Sequence, residues 1–278
     1  MTEGRLSRSW RLTRAAWEVV RTDRAMLKLG AIAVLANVGA VGVMLALAGV
    51  YDQSHLQGGR LVVAALLLAY PLTFLGAFFN TAIAAAAAAA REGRHLTVGE
   101  ALAVPTRRIG TIAMWALIAA IVGFVIEQLA RRLPLGSIVS RLLGLGWSVV
   151  SLFVIPILAL EDRSATESLK RSAHVIKERW GEGIAGLVTI TAWTLLVIIP
   201  GALVFIVLGV AVSSVPALLI AVIALGVLSF VALIVLQLLV RQTFAVALYR
   251  FATTGDGQAG FAQSDLESAF RRKRGLLG

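Results

Sequence analysis

The sequence predicts an all-α fold: a polytopic membrane bundle of six transmembrane helices, with amphipathic interfacial helices on the cytoplasmic side. Three observations lead to this. Of 278 residues, 59% are hydrophobic and only 15% charged, with a mean hydropathy of +0.87, more apolar surface than a water-soluble fold can cover. The apolar residues come in blocks of 20 or more, the length a helix rising about 1.5 Å per residue needs to cross a hydrocarbon core about 30 Å thick. The net charge of +11 is carried between those blocks, which fits membrane loops better than a nucleic-acid-binding stripe.

Residues 1–27 predict an amphipathic interfacial helix. Leu6, Trp10, Thr13, Trp17 and Val20 share one stripe, five of the six arginines through Arg24 lie off it, and tryptophan suits the depth of lipid headgroups. The transmembrane domain occupies 28–250, with spans near 28–50, 61–90, 109–130, 142–160, 184–212 and 217–249. The first block runs well past the 7–15 residues of a signal-peptide apolar region, so it reads as a retained span. The second, fifth and sixth exceed about 20 residues and predict tilt, kinks or extension beyond the lipid. Pro71, Pro200 and Pro156 lie in the second, fifth and fourth spans, where a missing backbone donor predicts a bend. Residues 251–278 form a basic cytoplasmic tail.

Between spans a Ser/Thr-x-x-Glu pattern recurs: Thr97–Glu100, Ser164–Glu167 and Ser264–Glu267. At this spacing the hydroxyl accepts from the third amide of a helix while the Glu reaches back to the cap, so each marks a helix start. Surface helices are expected over 97–108 and 164–180. In the second, Ala165, Leu169, Ala173, Ile176 and Trp180 form the apolar stripe, and the helix is expected to lie along the membrane surface. The chain thus reads as a surface helix followed by a membrane hairpin, used three times. The intervals between caps, 67 and 100 residues, leave open whether these units descend from one repeat.

Orientation follows from the basic residues. The segment through Lys28 holds seven, 91–108 four, 161–183 five and the region from Arg241 onward six, so 22 of the 26 lie on one side and Arg60, Arg131, Arg132 and Arg141 on the other. Positive charge is retained inside, which places both termini in the cytoplasm of a multi-pass cell-membrane protein.

The opening Leu6-Ser7-Arg8-Ser9-Trp10-Arg11-Leu12 with Ala15-Ala16-Trp17, the stretch Phe78-Phe79-Asn80-Thr81-Ala82, and Glu167-Ser168-Leu169-Lys170-Arg171-Ser172 running on to Trp180-Gly181-Glu182 resemble a family of uncharacterised prokaryotic membrane proteins, domain of unknown function 6159. The resemblance extends over nearly the whole chain and implies a six-helix membrane domain, with no activity or catalytic residues to carry over. A looser similarity is to the membrane domain fused to some glycerophosphodiester phosphodiesterases, whose acidic metal-binding domain this chain lacks.

Zero cysteines and three scattered histidines, His55, His95 and His174, exclude Cys-based metal sites and make a histidine cluster an unlikely design. Neither a phosphate loop, a dinucleotide fingerprint nor a His-Glu-x-x-His motif occurs. The expectation is therefore no enzyme, no cofactor and no metal. Polar residues inside spans are costly and are the places to look for a site: Asn37, Asn80, Gln237 and Arg241. Asn37, among small residues, is expected to bond between helices, and Asn80 precedes the alanine run 84–90, expected to pack closely. Arg241 has two readings: snorkelling to headgroups, or pairing with Glu161 or Asp162 at the end of the fourth span. Those adjacent carboxylates point about 100° apart on a helix and read as a solvated end, and Glu127 with Arg131 reads as a local ion pair.

The function expected is a non-enzymatic scaffold or accessory factor that binds anionic lipids of the inner leaflet through Trp10, Arg11, Arg14, Trp17, Lys170, Arg171 and Trp180. The alternative is a small transporter or lipid-translocating protein, motivated by the proline-interrupted spans. Nucleic acid is not an expected partner, since Arg271-Arg272-Lys273-Arg274 beside a membrane domain serves to hold that end at the inner leaflet.

Overall fold

The computed structural model describes residues 17–50, 59–132, 136–179 and 184–254. Among these, the regular elements are all helices: α1 (17–22), α2 (Arg24–Val50), α3 (Gly59–Arg91), α4 (Val98–Arg107), α5 (Ile109–Arg132), α6 (Gly136–Val150), α7 (Val154–Leu160), α8 (Ala165–Arg179), α9 (Ile184–Ala211) and α10 (Pro216–Thr254). Five stretches are long and apolar enough to cross a membrane: Arg24–Met44, Ala69–Arg91, Ile109–Arg132, Ile138–Leu160 and Pro216–Thr254. The sequence predicts six. The remaining predicted span corresponds to α9, a helix of 28 residues.

The hub of the bundle is α3. Ala82, Ile83, Ala86 and Ala87 face Met26 and Leu29 of α2 and Leu239 of α10. Ala84 and Ala88 meet Val246 of α10 beside Ala159 and Leu160 of α7, and Ala77 packs with Trp115, Val154 and Leu158. One helix approached from several directions needs small side chains on every face, and the alanine run supplies them. A similar closeness joins α2 to α10. A Cβ added at Gly30 would stand 2.7 Å from Val235 Cγ1.

The fourth predicted span is interrupted. Residues 151–153 form a turn between α6 and α7, so the bend lies just before Pro156 rather than at it. Pro156 is the third residue of α7, where its missing N–H falls among amides that have no intrahelical acceptor anyway, while its ring excludes a continuous helix through the preceding turn. The groups this frees are satisfied from α8: Ser172 Oγ donates to Val150 O at 2.6 Å and accepts from Phe153 N at 3.2 Å. Pro71 and Pro200, by contrast, lie within unbroken helices.

That contact corrects the reading of α8. Its buried face is Ala165, Ser168, Ser172 and Val175, whereas Leu169, Ala173 and Ile176 of the predicted stripe are only half-buried. The helix docks on the α6–α7 break through small serines, with Leu169 and Ile176 packed at the edges of the neighbouring apolar clusters. Both predicted caps in the described region form. Thr97 Oγ1 accepts from Glu100 N while Glu100 returns to Thr97 N at 2.7 Å. Ser164 Oγ accepts from Glu167 N, and Glu167 returns to Ser164 N at 2.9 Å. Those bonds hold both glutamates below the ordinary carboxylate value, the backbone amide of Thr97 or Ser164 being the largest cause. Ser264–Glu267, like the tail, lies outside the described residues.

With 39 residues, α10 is about 58 Å long at about 1.5 Å per residue, well beyond a hydrocarbon core of about 30 Å. Its second half, from Leu239 to Ala252, is almost entirely buried in the bundle, while most of the first half is exposed. Along that first half an apolar groove of about 700 Å³ runs between α9 and α10, with Phe205 seated over Gly226.

Candidate functional site

One end of the bundle, the basic end, gathers polar side chains from helices far apart in the chain. There α3 finishes at Arg91, α5 begins after Arg108, α7 finishes before Glu161, and Tyr249 and Arg250 lie near the end of α10. Glu92 bonds both Arg94 and Arg250, tying the α3 terminus to α10. The hydrogen bond from Arg94, then that from Arg250, hold its carboxyl below the ordinary value.

Arg108 closes the end of α7. Its Nη1 donates to Leu158 O at 3.3 Å and to Glu161 O, and its Nη2 lies 3.0 Å from Asp162 Oδ1. The carbonyls of a last helical turn have no partner within the helix and carry partial negative charge, so a guanidinium there is doubly suited. Asp162 is almost fully exposed, and its part of the bond is correspondingly weak.

Glu161 sits half-buried between three elements, accepting from Tyr249 of α10 and from Arg163, with Arg171 of α8 nearby. Burial raises its carboxyl, but the bonds from Tyr249 and Arg163 outweigh that and leave it lowered. The same contact raises Arg163. The two acids therefore do not form a simple solvated end: Asp162 faces water, and Glu161 joins α7, α8 and α10.

The residues expected to bind lipid part company. Trp10, Arg11, Arg14 and Trp180 lie outside the described residues. Trp17 and Lys170 are exposed. Arg171 instead is half-buried and lies near Glu161 and Tyr249, because α8 presents its serine face to the bundle and carries position 171 round with it. Arg241 is exposed on α10 and has no acidic partner among the described residues, while Glu161 and Asp162 are engaged elsewhere. The structure thus shows no ion pair of Arg241 with Glu161 or Asp162, and its exposed position is compatible with snorkelling by its long stem.

Of the intramembrane amides, Asn37 donates to Ala33 O of its own helix at 2.8 Å rather than between helices, because its neighbourhood on α2 is largely exposed. Asn80 does bond across the bundle, accepting at Oδ1 from Gln242 Nε2 at 3.0 Å. Gln237 is half-buried and makes no side-chain hydrogen bond among the described residues. Gln242 is the residue the sequence reading passed over. Its signal was a second amide in the same apolar run, five positions beyond Gln237, on the face that also carries Leu239 and Val246 toward α3. Gln242→Leu is expected to cost about 1 kcal/mol, as interhelical hydrogen bonds in membranes do, and Asn80→Leu/Gln242→Leu less than the sum of the two single changes. Melting temperatures in detergent measure this, and strict additivity would show that the bond contributes nothing.

The sequence between the second span and the start of the tail matches a family model, the family of unknown function (DUF6159), over residues 60–261. The chain belongs to this family. The match takes in Phe78–Ala82 and Glu167–Glu182 but not the opening Leu6–Leu12, so the shared pattern is narrower than the near-complete resemblance expected from sequence. It includes every residue of the basic-end network just described from Arg91 to Arg250. No curated protein and no solved structure matches the chain, and the looser similarity to the phosphodiesterase-fused membrane domain is not seen.

Proposed function

We infer that this DUF6159 protein is a six-span protein of the cell membrane with both termini cytoplasmic, a non-enzymatic scaffold or accessory factor whose basic end binds anionic lipids. The observation that carries the reading is the convergence at one end of Asp23, Glu92, Arg108, Glu161 and Arg250 from separate helices, linked by hydrogen bonds and ion pairs. These lie in the segments that hold most of the basic residues, the charge asymmetry that the positive-inside rule associates with a cytoplasmic face. Such charges near an anionic leaflet contribute on the order of 1 kcal/mol each. The sixth span in this reading is α9, a helix of 28 residues.

Because the chain has no cysteine, single substitutions report topology without background. With a membrane-impermeant maleimide on intact cells, Ser54→Cys is expected to label and Ser264→Cys only after lysis; the reverse pattern would overturn the orientation. Flotation of the reconstituted protein's 1–27 peptide with vesicles is expected to favour anionic over neutral lipid, and equal recovery would sink the lipid claim. Solute or lipid flux by the intact chain in proteoliposomes would favour the transporter reading instead.

A further inference from the structure

At the basic end a surface cavity of about 470 Å³ opens between the α1–α2 joint and the loop leading from α3 into α4. Arg24, Lys28 and His95 line it, together with Thr97 and Val98 at the start of α4. Asp23 lies in its wall and is only 3% exposed. Its Oδ1 accepts the amides of Ala25 at 2.9 Å and Met26 at 3.1 Å, capping α2, and its Oδ2 lies 3.1 Å from His95 Nδ1.

A carboxylate can only accept, so in this pair Nδ1 carries the hydrogen; Nε2 of the neutral ring is then an acceptor and donates to an oxyanion only in the imidazolium form. Both Asp23 oxygens are thereby committed to fixed donors, and the acid serves to cap α2 and orient the imidazole. The His95 side chain is 64% exposed. Arg24 and Lys28, one turn apart on α2, are exposed and have no acidic partner among the described residues. The Val98 amide, first in α4, has by position no acceptor within its own helix. Glu100 folds back onto Thr97 and is not part of the cavity wall.

We propose that this cavity is a phosphate-binding site, formed by the Arg24 guanidinium and the Lys28 ammonium, with the His95 ring, oriented by Asp23, in its wall. The lining holds two permanent cations and an imidazole against one buried carboxylate already held by three donors, a balance that favours a phosphate oxyanion through charge-assisted bonds. Arg24 also opens the apolar stretch Arg24–Met44, which puts the cavity at the depth where a bilayer presents phosphates. A lipid headgroup and free phosphate share this chemistry. The proposal rests on the lipid reading above only for that depth, and its cations, Arg24 and Lys28, are not among the residues that carried that reading.

The test uses the full chain in uncharged detergent, with phosphatidylglycerol as probe, diacylglycerol as its phosphate-free control and inorganic phosphate as competitor. The intact protein is expected to bind phosphatidylglycerol and not diacylglycerol. Lys28→Gln is expected to weaken binding about fivefold and Arg24→Gln/Lys28→Gln/His95→Gln about thirtyfold, at about 1 kcal/mol for each of the two permanent charges. Arg131→Gln/Arg132→Gln/Arg141→Gln, three charges removed elsewhere, is expected to change nothing.

Displacement of the lipid by inorganic phosphate would identify free phosphate as the source; resistance to it would identify the headgroup. Equal loss in both triple variants, or none in either, would overturn the site. If the cavity triple loses its melting transition, Lys28→Gln alone decides, since Lys28 is exposed and bonds nothing that holds the fold; unchanged affinity there overturns the proposal. Loss in Arg11→Gln/Arg14→Gln with the cavity variants unaffected would overturn the cavity and leave the scaffold reading standing. Loss confined to the cavity variants would do the opposite.

Discussion

Ala87→Leu is expected to destabilise the bundle by about 3 kcal/mol, the upper part of the range for overpacking a filled core, and to abolish a monodisperse peak in detergent if no helix can give way. Ala87 has 0% exposure and sits in the cluster that joins α2, α3 and α10 around Met26, Leu29, Val235 and Leu239. The neighbours cannot yield separately. Where α2 meets α10 there is already no room for a methyl group at Gly30, so an added isobutyl must force α2 or α10 outward and expose the others' contacts. Leu35→Ala, at a site 67% exposed on α2, is the control and should shift the melting temperature little. Comparable tolerance at the two positions would show that α3 is not the close-packed hub.

The second large effect is at Glu161. Glu161→Ala removes the acceptor that serves Tyr249 and Arg163, and about 2 kcal/mol is expected, the range for hydrogen bonds involving a charged group. Its side chain is 26% exposed, so screening is partial. Tyr249→Phe removes one of the same bonds, and the double variant should cost less than the sum.

The pH dependence has a definite sign. The Glu161 carboxyl is lowered in the folded protein from the ordinary 4.5, so its contribution is complete above that value and is lost as pH falls through the folded-state value. Glu92, Glu100 and Glu167 are lowered as well. The melting temperature should therefore fall below about pH 4.5, and Glu161→Gln should flatten that fall without removing it. An identical acid profile for the variant would mean that Glu161 is not held as its contacts indicate.

Much of the local structure was legible in the residues. Thr97–Glu100 and Ser164–Glu167 cap α4 and α8 by the bonds their spacing requires, because a capping box is completed within four residues. Glu127 and Arg131, at i and i+4, pair at 3.0 Å for the same reason. The site was less legible. Asn80 was singled out, but its partner Gln242 lies 162 positions away, and no local rule chooses between Gln237 and Gln242. Arg171 read as a lipid-facing cation because helical periodicity gave a stripe through Leu169 and Ile176. Which face of an amphipathic helix is buried depends on what it packs against, and Ser172 was needed at the α6–α7 break.

What the sequence alone determined was the class of protein: apolar length and composition force helices long enough to cross a membrane. The tertiary structure decided which side chains meet. The alanines of α3 could have lined any helix contact, and only the approach of α2, α5, α7 and α10 makes them a hub. Likewise Asp23, His95 and Tyr249 are unremarkable in sequence, and Glu161 reads there only as half of an adjacent acid pair. They acquire partners because helix ends distant in the chain are brought to one face, where each unsatisfied terminus and each half-buried charge must find its complement among residues that sequence spacing does not link.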